Sequence, residues 1–264
     1  MKLPDLIPAM EKKLPMLSKI PAGLRIAGSL LMDLCLPRIC AGCGQIGGQE
    51  DGFWCAECLG NISWIVSPIC PQCGRPFPDA PHSPDHLCGE CALETFHFTS
   101  ARSVVLHAGI MRDRIHQFKF GGRLEWIPPF VELLRIAYDN WGIPVPEIVF
   151  PVPLHVKRLR ERGFNQSGLL AKEFARSLDL SVSFDTLVRK NRTAPQTRLN
   201  REQRLTNVKD AFEVPEKKDI RGRRILILDD VYTTGTTLSE CARVLKKKGA
   251  SDVYALTVTR ALPN

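Results

Sequence analysis

Residues 225–237 carry the sequence Ile-Leu-Ile-Leu-Asp-Asp-Val-Tyr-Thr-Thr-Gly-Thr-Thr. The first four residues are all apolar and predict a short strand buried on both faces, as in a parallel sheet covered by helices. Two carboxylates, Asp229 and Asp230, follow where we expect the strand to end. A threonine-rich turn comes next, and then apolar residues at helical spacing from Leu238. This order of strand, acidic pair, turn and helix predicts an α/β protein whose ligand lies beyond the carboxyl ends of its strands.

The turn after the acidic pair, called the threonine turn below, has the composition of a phosphate-binding site. It consists of Thr233, Thr234, Gly235, Thr236 and Thr237. Its backbone N–H groups and hydroxyls would lie at a helix N-terminus, and a glycine lets the backbone approach a ligand closely. The turn lacks the lysine of a P-loop and the glycine pattern of a dinucleotide fold. A buried strand with an acidic end and a threonine-rich helix cap is the alternative interpretation.

The acidic pair needs a role other than phosphate binding, because carboxylates repel phosphate groups. Accepting hydrogen bonds from the vicinal hydroxyls of a sugar, with Mg²⁺ nearby, suits this position. The run closely resembles the 5-phosphoribosyl-1-pyrophosphate (PRPP) motif of type I phosphoribosyltransferases. This resemblance implies that Asp229 and Asp230 face the ribose hydroxyls and that the threonine turn wraps the 5′-phosphate.

The composition is that of a globular protein with anionic partners. The chain has 264 residues, of which 44% are hydrophobic and 24% are charged, and its formal net charge is +8. The positive charge favours nucleotides, nucleic acid or acidic membrane surfaces without choosing among them. No apolar run approaches the roughly 20 residues of a membrane-spanning helix, and the prolines and charges of residues 4–21 do not form a signal peptide. We therefore expect a cytoplasmic protein whose cysteines are reduced or metal-bound.

Eight of the ten cysteines form four Cys-x-x-Cys pairs within residues 40–91. They are Cys40, Cys43, Cys55, Cys58, Cys70, Cys73, Cys88 and Cys91. Eight thiolates at this spacing predict two closed tetrahedral Zn²⁺ sites, which leave no open position for catalysis and are therefore structural. The alternative is a redox motif, which requires one pair beside a βαβ unit. Short loops favour one site from the first four cysteines and one from the last four, and a crossed arrangement stays open.

Two basic segments are candidates for binding the rest of the ligand. Residues 147–153 predict a buried strand that ends beside the Asp229 strand, and a cluster of four cations follows it. The cluster consists of Lys157, Arg158, Arg160 and Arg162. It is either a solvated turn or a site where Arg158 or Arg162 contacts pyrophosphate oxygens through its bidentate guanidinium. Residues 189–209 contain seven basic residues and predict either a loop that closes over a polyanion or a mobile surface loop.

Further motifs resemble those of the ComF family, the ComFC-like proteins named for bacterial competence. They are Pro-Val-Pro at 151–153, Arg-Gly-Phe-Asn-Gln at 162–166, Arg192-Thr193 with Gln196 and Leu199, Arg204 with Asn207, and the run at 225–237. The resemblance covers residues 30–260. It implies a type I phosphoribosyltransferase fold with a mainly parallel central sheet at 99–264, preceded by a cysteine-rich double zinc-ribbon module at 30–98 and an N-terminal extension at 1–29.

The same resemblance implies roles for the basic segments and for the whole protein. Residues 153–157 would form the pyrophosphate loop and residues 192–207 the flexible loop, so Arg192 joins Arg158 and Arg162 as a PRPP-binding residue. The resemblance also implies a role in DNA uptake and in handling single-stranded DNA, with competence proteins as partners.

Two hypotheses of function follow. The first is an enzyme that displaces pyrophosphate from PRPP with an unidentified acceptor, aided by Mg²⁺. The second is a non-catalytic sensor of PRPP or a nucleotide that binds single-stranded DNA or a competence partner. Both hypotheses need Asp229 and Asp230, and only the enzyme needs a pocket for the acceptor.

Each purified chain is expected to contain two zinc ions, because the cysteine spacing supplies two complete sets of ligands. Each site should contribute on the order of 10–16 kcal/mol of metal-linked folding free energy. Elemental analysis measures the metal content, and one zinc per chain, or iron, would contradict the two-site interpretation. Cys70→Ser is expected to unfold the cysteine-rich module more than it alters the PRPP pocket.

Overall fold

The computed structural model describes residues 39–46, 52–190 and 210–262. The chain divides into two compact units, residues 1–62 and 63–264. The helices of the described residues are α1 (Ala56–Asn61), α2 (Gly89–Leu93), α3 (Gly109–Phe120), α4 (Ile127–Asn140), α5 (Val156–Arg162), α6 (Gln166–Ser177) and α7 (Thr236–Lys247). The strands are β1 (Ser100–Leu106), β2 (Ile148–Pro151), β3 (Val188–Arg189), β4 (Phe212–Glu213), β5 (Arg224–Tyr232) and β6 (Asp252–Arg260). None of these helices is long and apolar enough to cross a membrane.

The second unit is built on a four-stranded sheet in the order β1-β6-β5-β2, in which every pairing is parallel. Residues 225–228 of β5 are fully buried, which confirms the predicted strand covered on both faces. Amphipathic helices α4, α6 and α7 pack against the strands. β2 lies beside β5, with Pro151 opposite Leu228, so the two predicted buried strands are neighbours as the sequence indicated.

Strand β5 is longer than its sequence predicted. The expected end was Leu228, but the strand continues through Asp229 and Asp230 to Tyr232. The reason is that β6 continues to pair with β5 as far as Tyr232 opposite Arg260, after β2 has ended. The two carboxylates therefore lie on an ordered strand that, within the described residues, has a neighbouring strand on only one side.

The basic cluster, for which a solvated turn was one of two interpretations, lies on helix α5. His155 caps this helix by accepting a hydrogen bond from the backbone N–H of Lys157 at 3.1 Å. Gly163 ends it in the left-handed conformation, where glycine carries no steric penalty. The helix gives the guanidinium groups of Arg158 and Arg162 a common scaffold.

The sequence also predicts a strand at residues 182–190, but in the structure it is reduced to β3, which pairs antiparallel with β4, and to one bridge between Val182 and Val149. The hydroxyl of Ser183 bonds to Asp185 Oδ1 at 2.9 Å and to Thr186 Oγ1 at 2.7 Å. Such local side-chain hydrogen bonds compete with strand pairing. The chain therefore reaches β3 through a turn.

The second group of four cysteines belongs to the core of the sheet unit. Cys70 and Cys73 are fully buried and share one hydrophobic cluster with Phe150, Ile227 and Ala255. The backbone N–H of Ala101 on β1 donates to the carbonyl of Gln72 between the two cysteines. Residues 63–98, which the sequence analysis assigned to the cysteine-rich module, therefore fold onto the sheet within the second unit.

This packing revises the expected effect of Cys70→Ser. The substitution should now destabilise the sheet itself, because the sulfur lies in the sheet's core, whereas Cys40→Ser should leave the sheet intact. Hydrogen exchange of the β5 amides measures the difference, and we expect faster exchange by at least tenfold in Cys70→Ser alone. Equal protection of β5 in the two variants would contradict this assignment.

Candidate functional site

A cavity of about 1070 Å³ opens at the carboxyl ends of β2 and β5. Its walls come from the end of α3, the segment after β2, helix α5, the start of α6 and the threonine turn. The lining residues used below are His107, Arg112, Lys119, Phe120, Arg158, Glu161, Arg162, Gln166, Ser167, Arg189, Asp229, Asp230, Thr233 and Thr237. This is the edge of an α/β sheet at which ligands are expected to bind.

The two carboxylates on β5 are held by different helices. Asp229 Oδ1 accepts hydrogen bonds from Ser167 Oγ at 2.6 Å and from the backbone N–H of Asp230 at 2.9 Å. The Asp230 side chain is buried and forms an ion pair with Lys119 Nζ at 2.8 Å. The start of α6 thus orients one acid, and the end of α3 neutralises the other.

The pKa of Asp229 is raised to about 7. Burial is the largest cause and the neighbouring carboxylate of Asp230 is the second, while the Ser167 hydroxyl and Lys119 partly oppose them. Asp229 therefore binds a proton readily near neutral pH. The two carboxyl groups together have the chemistry to accept hydrogen bonds from hydroxyls or to hold a divalent cation.

The threonine turn closes the end of the cavity at the N-terminus of α7. Gly235 adopts a left-handed conformation with φ of 75°, and Thr234 Oγ1 lies 2.9 Å from Thr236 Oγ1. Thr233 and Thr237 line the cavity wall. Because the first N–H groups of a helix have no partner within it, this end of α7 suits a phosphate.

Positive charge surrounds the acidic pair. The cavity wall carries five cations, namely Arg112, Lys119, Arg158, Arg162 and Arg189, and its acids are Asp229, Asp230 and Glu161. Arg162 Nη1 donates to Gln166 Oε1 at 3.1 Å, and its guanidinium lies 4.7 Å from the centre of the Phe120 ring. Burial lowers the pKa of Arg162, although Asp230 opposes this. The excess of cations suits a ligand with several negative charges.

Most of the predicted ligand-binding residues meet in this cavity. Asp229, Asp230, Thr233, Thr237, Arg158 and Arg162 all line it. Thr234, Gly235 and Thr236 form the turn but are not part of the cavity wall, and Arg192 lies outside the described residues together with the rest of 191–209.

Lys119 and Ser167 line the cavity although the sequence analysis gave them no role, whereas Arg189 belonged to its basic segment 189–209. The only sequence signal for Lys119 is the Lys-Phe-Gly-Gly run at 119–122, which is typical of the end of a helix. Arg189 packs over the ring of Phe212, and its Nε has no hydrogen-bond partner within the described part of the chain. Its guanidinium is therefore available to the cavity.

Both cysteine groups have the arrangement that a tetrahedral metal ion requires. Within each group the four sulfur atoms lie within 4.8 Å of one another, and the grouping is the sequential one. In the first group, Cys40 Sγ accepts hydrogen bonds from the backbone N–H groups of Gly42 and Cys55. Burial acts to raise the pKa of Cys70, but backbone N–H groups outweigh it and lower this pKa to about 7. The donor sets fit structural zinc and would hold it without an open coordination position.

Comparison with known proteins finds a matching family model for each part of the chain. A family model of the double zinc ribbon domain matches residues 31–92, and one of the phosphoribosyl transferase domain matches residues 165–261. DNA utilization protein YhgH of Salmonella typhi is 33% identical over 233 residues, which cover 87% of this chain and 100% of that protein. Competence protein ComFC of Bacillus subtilis is 30% identical over 81% of this chain and 86% of its own length. Competence protein F of Haemophilus influenzae is 29% identical over 79% of this chain and 97% of its own.

The raised pKa of Asp229 predicts a pH-dependent stability. The folded state binds a proton more tightly than the unfolded chain between pH about 4 and about 7, so stability falls as the pH rises through this window. Between pH about 5.5 and 7.5 the free energy of unfolding should fall by on the order of 1–2 kcal/mol more in the wild type than in Asp229→Asn. Urea unfolding across this pH range measures the free energy of unfolding of the wild type and of Asp229→Asn. The exposed Asp139→Asn should keep the wild-type slope, and equal slopes in Asp229→Asn and wild type would disprove the assignment.

Proposed function

This chain belongs to the ComF family, and from that premise we propose that its cavity binds PRPP. The observation that carries the proposal is the juxtaposition of Asp229, Asp230 and the threonine turn in one cavity at the end of β5. The acids accept hydrogen bonds from the ribose hydroxyls, and the turn holds the 5′-phosphate at the N-terminus of α7. Arg158 and Arg162 on α5 contact the pyrophosphate, and Arg192 is proposed as a further PRPP-binding residue.

Lys119 is a counter-ion within the cavity. Its ion pair with Asp230 neutralises a buried carboxylate, which would otherwise be costly. A ligand that brings hydroxyl donors and Mg²⁺ to Asp230 releases Lys119 to meet phosphate oxygens. Mg²⁺, when bound with PRPP, neutralises pyrophosphate charge, and the carboxylates supply the oxygen ligands it prefers.

We propose phosphoribosyl transfer as the activity. The cavity of about 1070 Å³ is at the upper end of the range of roughly 300–1,000 Å³ for ligand pockets, so it has space for PRPP and a small acceptor. The acceptor would form a bond to the anomeric carbon of the ribose while pyrophosphate leaves with the bonding electrons. The protein contributes positioning and charge stabilisation by its cations.

A second candidate function is a PRPP sensor that binds single-stranded DNA. Phe120 favours it, because this side chain at the cavity is 64% exposed and lies beside Arg162 and the ring of His116. An exposed aromatic ring beside a cation can stack a nucleic-acid base. The net charge of +8 supports the same candidate, as do relatives named for DNA utilization and competence.

Asp229→Asn combined with Asp230→Asn should abolish PRPP binding measured by calorimetry with Mg²⁺. A hydrogen bond to a charged group contributes about 1.5–3 kcal/mol, so the loss of two should weaken binding by about a hundredfold or more. Asp139→Asn is the matched control, because it removes an exposed carboxylate outside the cavity. Unchanged affinity in the double variant would refute the proposed site.

A pyrophosphate-release assay across candidate acceptors, run beside DNA binding, separates the two functions. Release that requires an acceptor supports the transferase. The sensor is supported if Phe120→Ala weakens binding of single-stranded DNA, Asp229→Asn does not, and no pyrophosphate is released. Full displacement of DNA by saturating PRPP would mean that the two ligands share one site.

A further inference from the structure

Arg260 is a buried cation whose neighbours are unusual. It is the last residue of β6 and is 3% exposed. Its guanidinium donates from Nη1 to the carbonyl of Cys73 at 2.7 Å and from Nη2 to Cys73 Sγ at 3.4 Å. Among the described residues, its Nε has no hydrogen-bond partner and no carboxylate forms an ion pair with it. The side chain is therefore directed at the second cysteine group instead of at an acid.

A buried guanidinium requires a negative counterpart, because an uncompensated charge in a protein interior is strongly destabilising. A zinc ion held by Cys70, Cys73, Cys88 and Cys91 as thiolates would carry a net charge of minus two. That charge lies against the only hydrogen-bonded face of Arg260 among the described residues. The metal-loaded second cysteine group is thus the counterpart that the sheet itself does not supply.

The other face of Arg260 contacts the floor of the threonine turn. Its guanidinium carbon lies 4.0 Å from the centre of the buried Tyr232 ring, which is close enough for a cation–π interaction. The Tyr232 hydroxyl lies directly beneath Gly235, where an added Cβ would be 2.1 Å from the hydroxyl oxygen. The turn backbone therefore packs on a ring that Arg260 contacts from the other side.

Backbone contacts give Arg260 a second connection to the cavity. Its carbonyl accepts a hydrogen bond from the backbone N–H of His107 at 2.7 Å, and His107 lines the cavity wall. The His107 ring is in turn bonded to Thr259 Oγ1 at 3.0 Å. The end of β6 thus contacts the second cysteine group with one side chain and the cavity with its backbone.

We propose that Arg260 is a positioning residue that couples metal binding by the second cysteine group to the shape of the threonine turn. Metal in that group holds Arg260 against Tyr232, and Tyr232 supports the turn from below. The consequence for ligands rests on the proposed function: a PRPP molecule seated on the turn and the metal ion stabilise each other. Coupling of this kind is reciprocal, so each ligand must slow the loss of the other.

Hydrogen exchange of the threonine turn tests the coupling without any ligand. The test uses Arg260→Met protein that is verified to contain two zinc ions per chain. Its amides at residues 233–238 should exchange about tenfold faster than those of the wild type. Arg260→Lys should restore part of the protection. Arg102→Met is the matched control, because Arg102 is also largely buried, bonded to a backbone carbonyl at 2.8 Å and packed on an aromatic ring, Trp141. Unchanged exchange in Arg260→Met, or equal acceleration in Arg102→Met, would overturn the proposal.

Zinc release supplies a second measurement if Arg260→Met does not fold. In Cys40→Ser, which keeps only the second cysteine group complete, PRPP with Mg²⁺ should slow transfer of zinc to a colour-forming chelator about tenfold, whereas Mg²⁺ alone should not. If calorimetry shows PRPP binding but the release rate is unchanged, the coupling is wrong while the proposed function stands. If PRPP does not bind, the proposed function fails. The coupling is then tested independently by hydrogen exchange of the threonine turn in wild-type protein with and without zinc.

Discussion

The parallel pairing of β5 with β6 continues from Leu228 to Tyr232 after β2 has ended, and the site depends on this extension. The backbone of Asp229 and Asp230 is held by one neighbouring strand, while no strand of the described residues pairs with the opposite edge. Because that edge has no such partner, α6 can bring Ser167 to one carboxylate and α3 can bring Lys119 to the other. A strand that ended at Leu228 would leave both acids on a loop and would separate them from the threonine turn.

Sequence patterns were sufficient wherever the determining residues lie close together in the chain. The buried part of β5, the turn that follows it and the sequential grouping of the cysteines were all predicted and are confirmed. The contact between Lys119 and Asp230 could not be predicted, because it joins a helix end to a strand that is distant in sequence. The bond from Arg260 to Cys73 is of the same kind. Periodicity describes one element at a time and carries no information about which elements meet.

Helix α5 and the end of β5, neither of which the sequence patterns predicted, have a common physical origin. Helix α5 buries none of its side chains, so its sequence lacks the apolar stripe that distinguishes a helix from a solvated turn. The end of β5 lacks an alternating or continuous apolar pattern, and it is extended only because β6 supplies hydrogen-bonding partners. In both cases the conformation is determined by capping and pairing groups rather than by hydrophobic burial. Because hydrophobic burial does not hold these elements, the residues that they present to the cavity can be polar.

The burial of the second cysteine group within the core of the sheet has a consequence for how the protein is made. A newly synthesised chain cannot complete that core from apolar side chains alone, because four sulfurs and the guanidinium of Arg260 occupy part of it. If zinc fills this group, its delivery becomes a step in the maturation of the protein. The amount of mature protein would follow the supply of available zinc as well as the rate of translation.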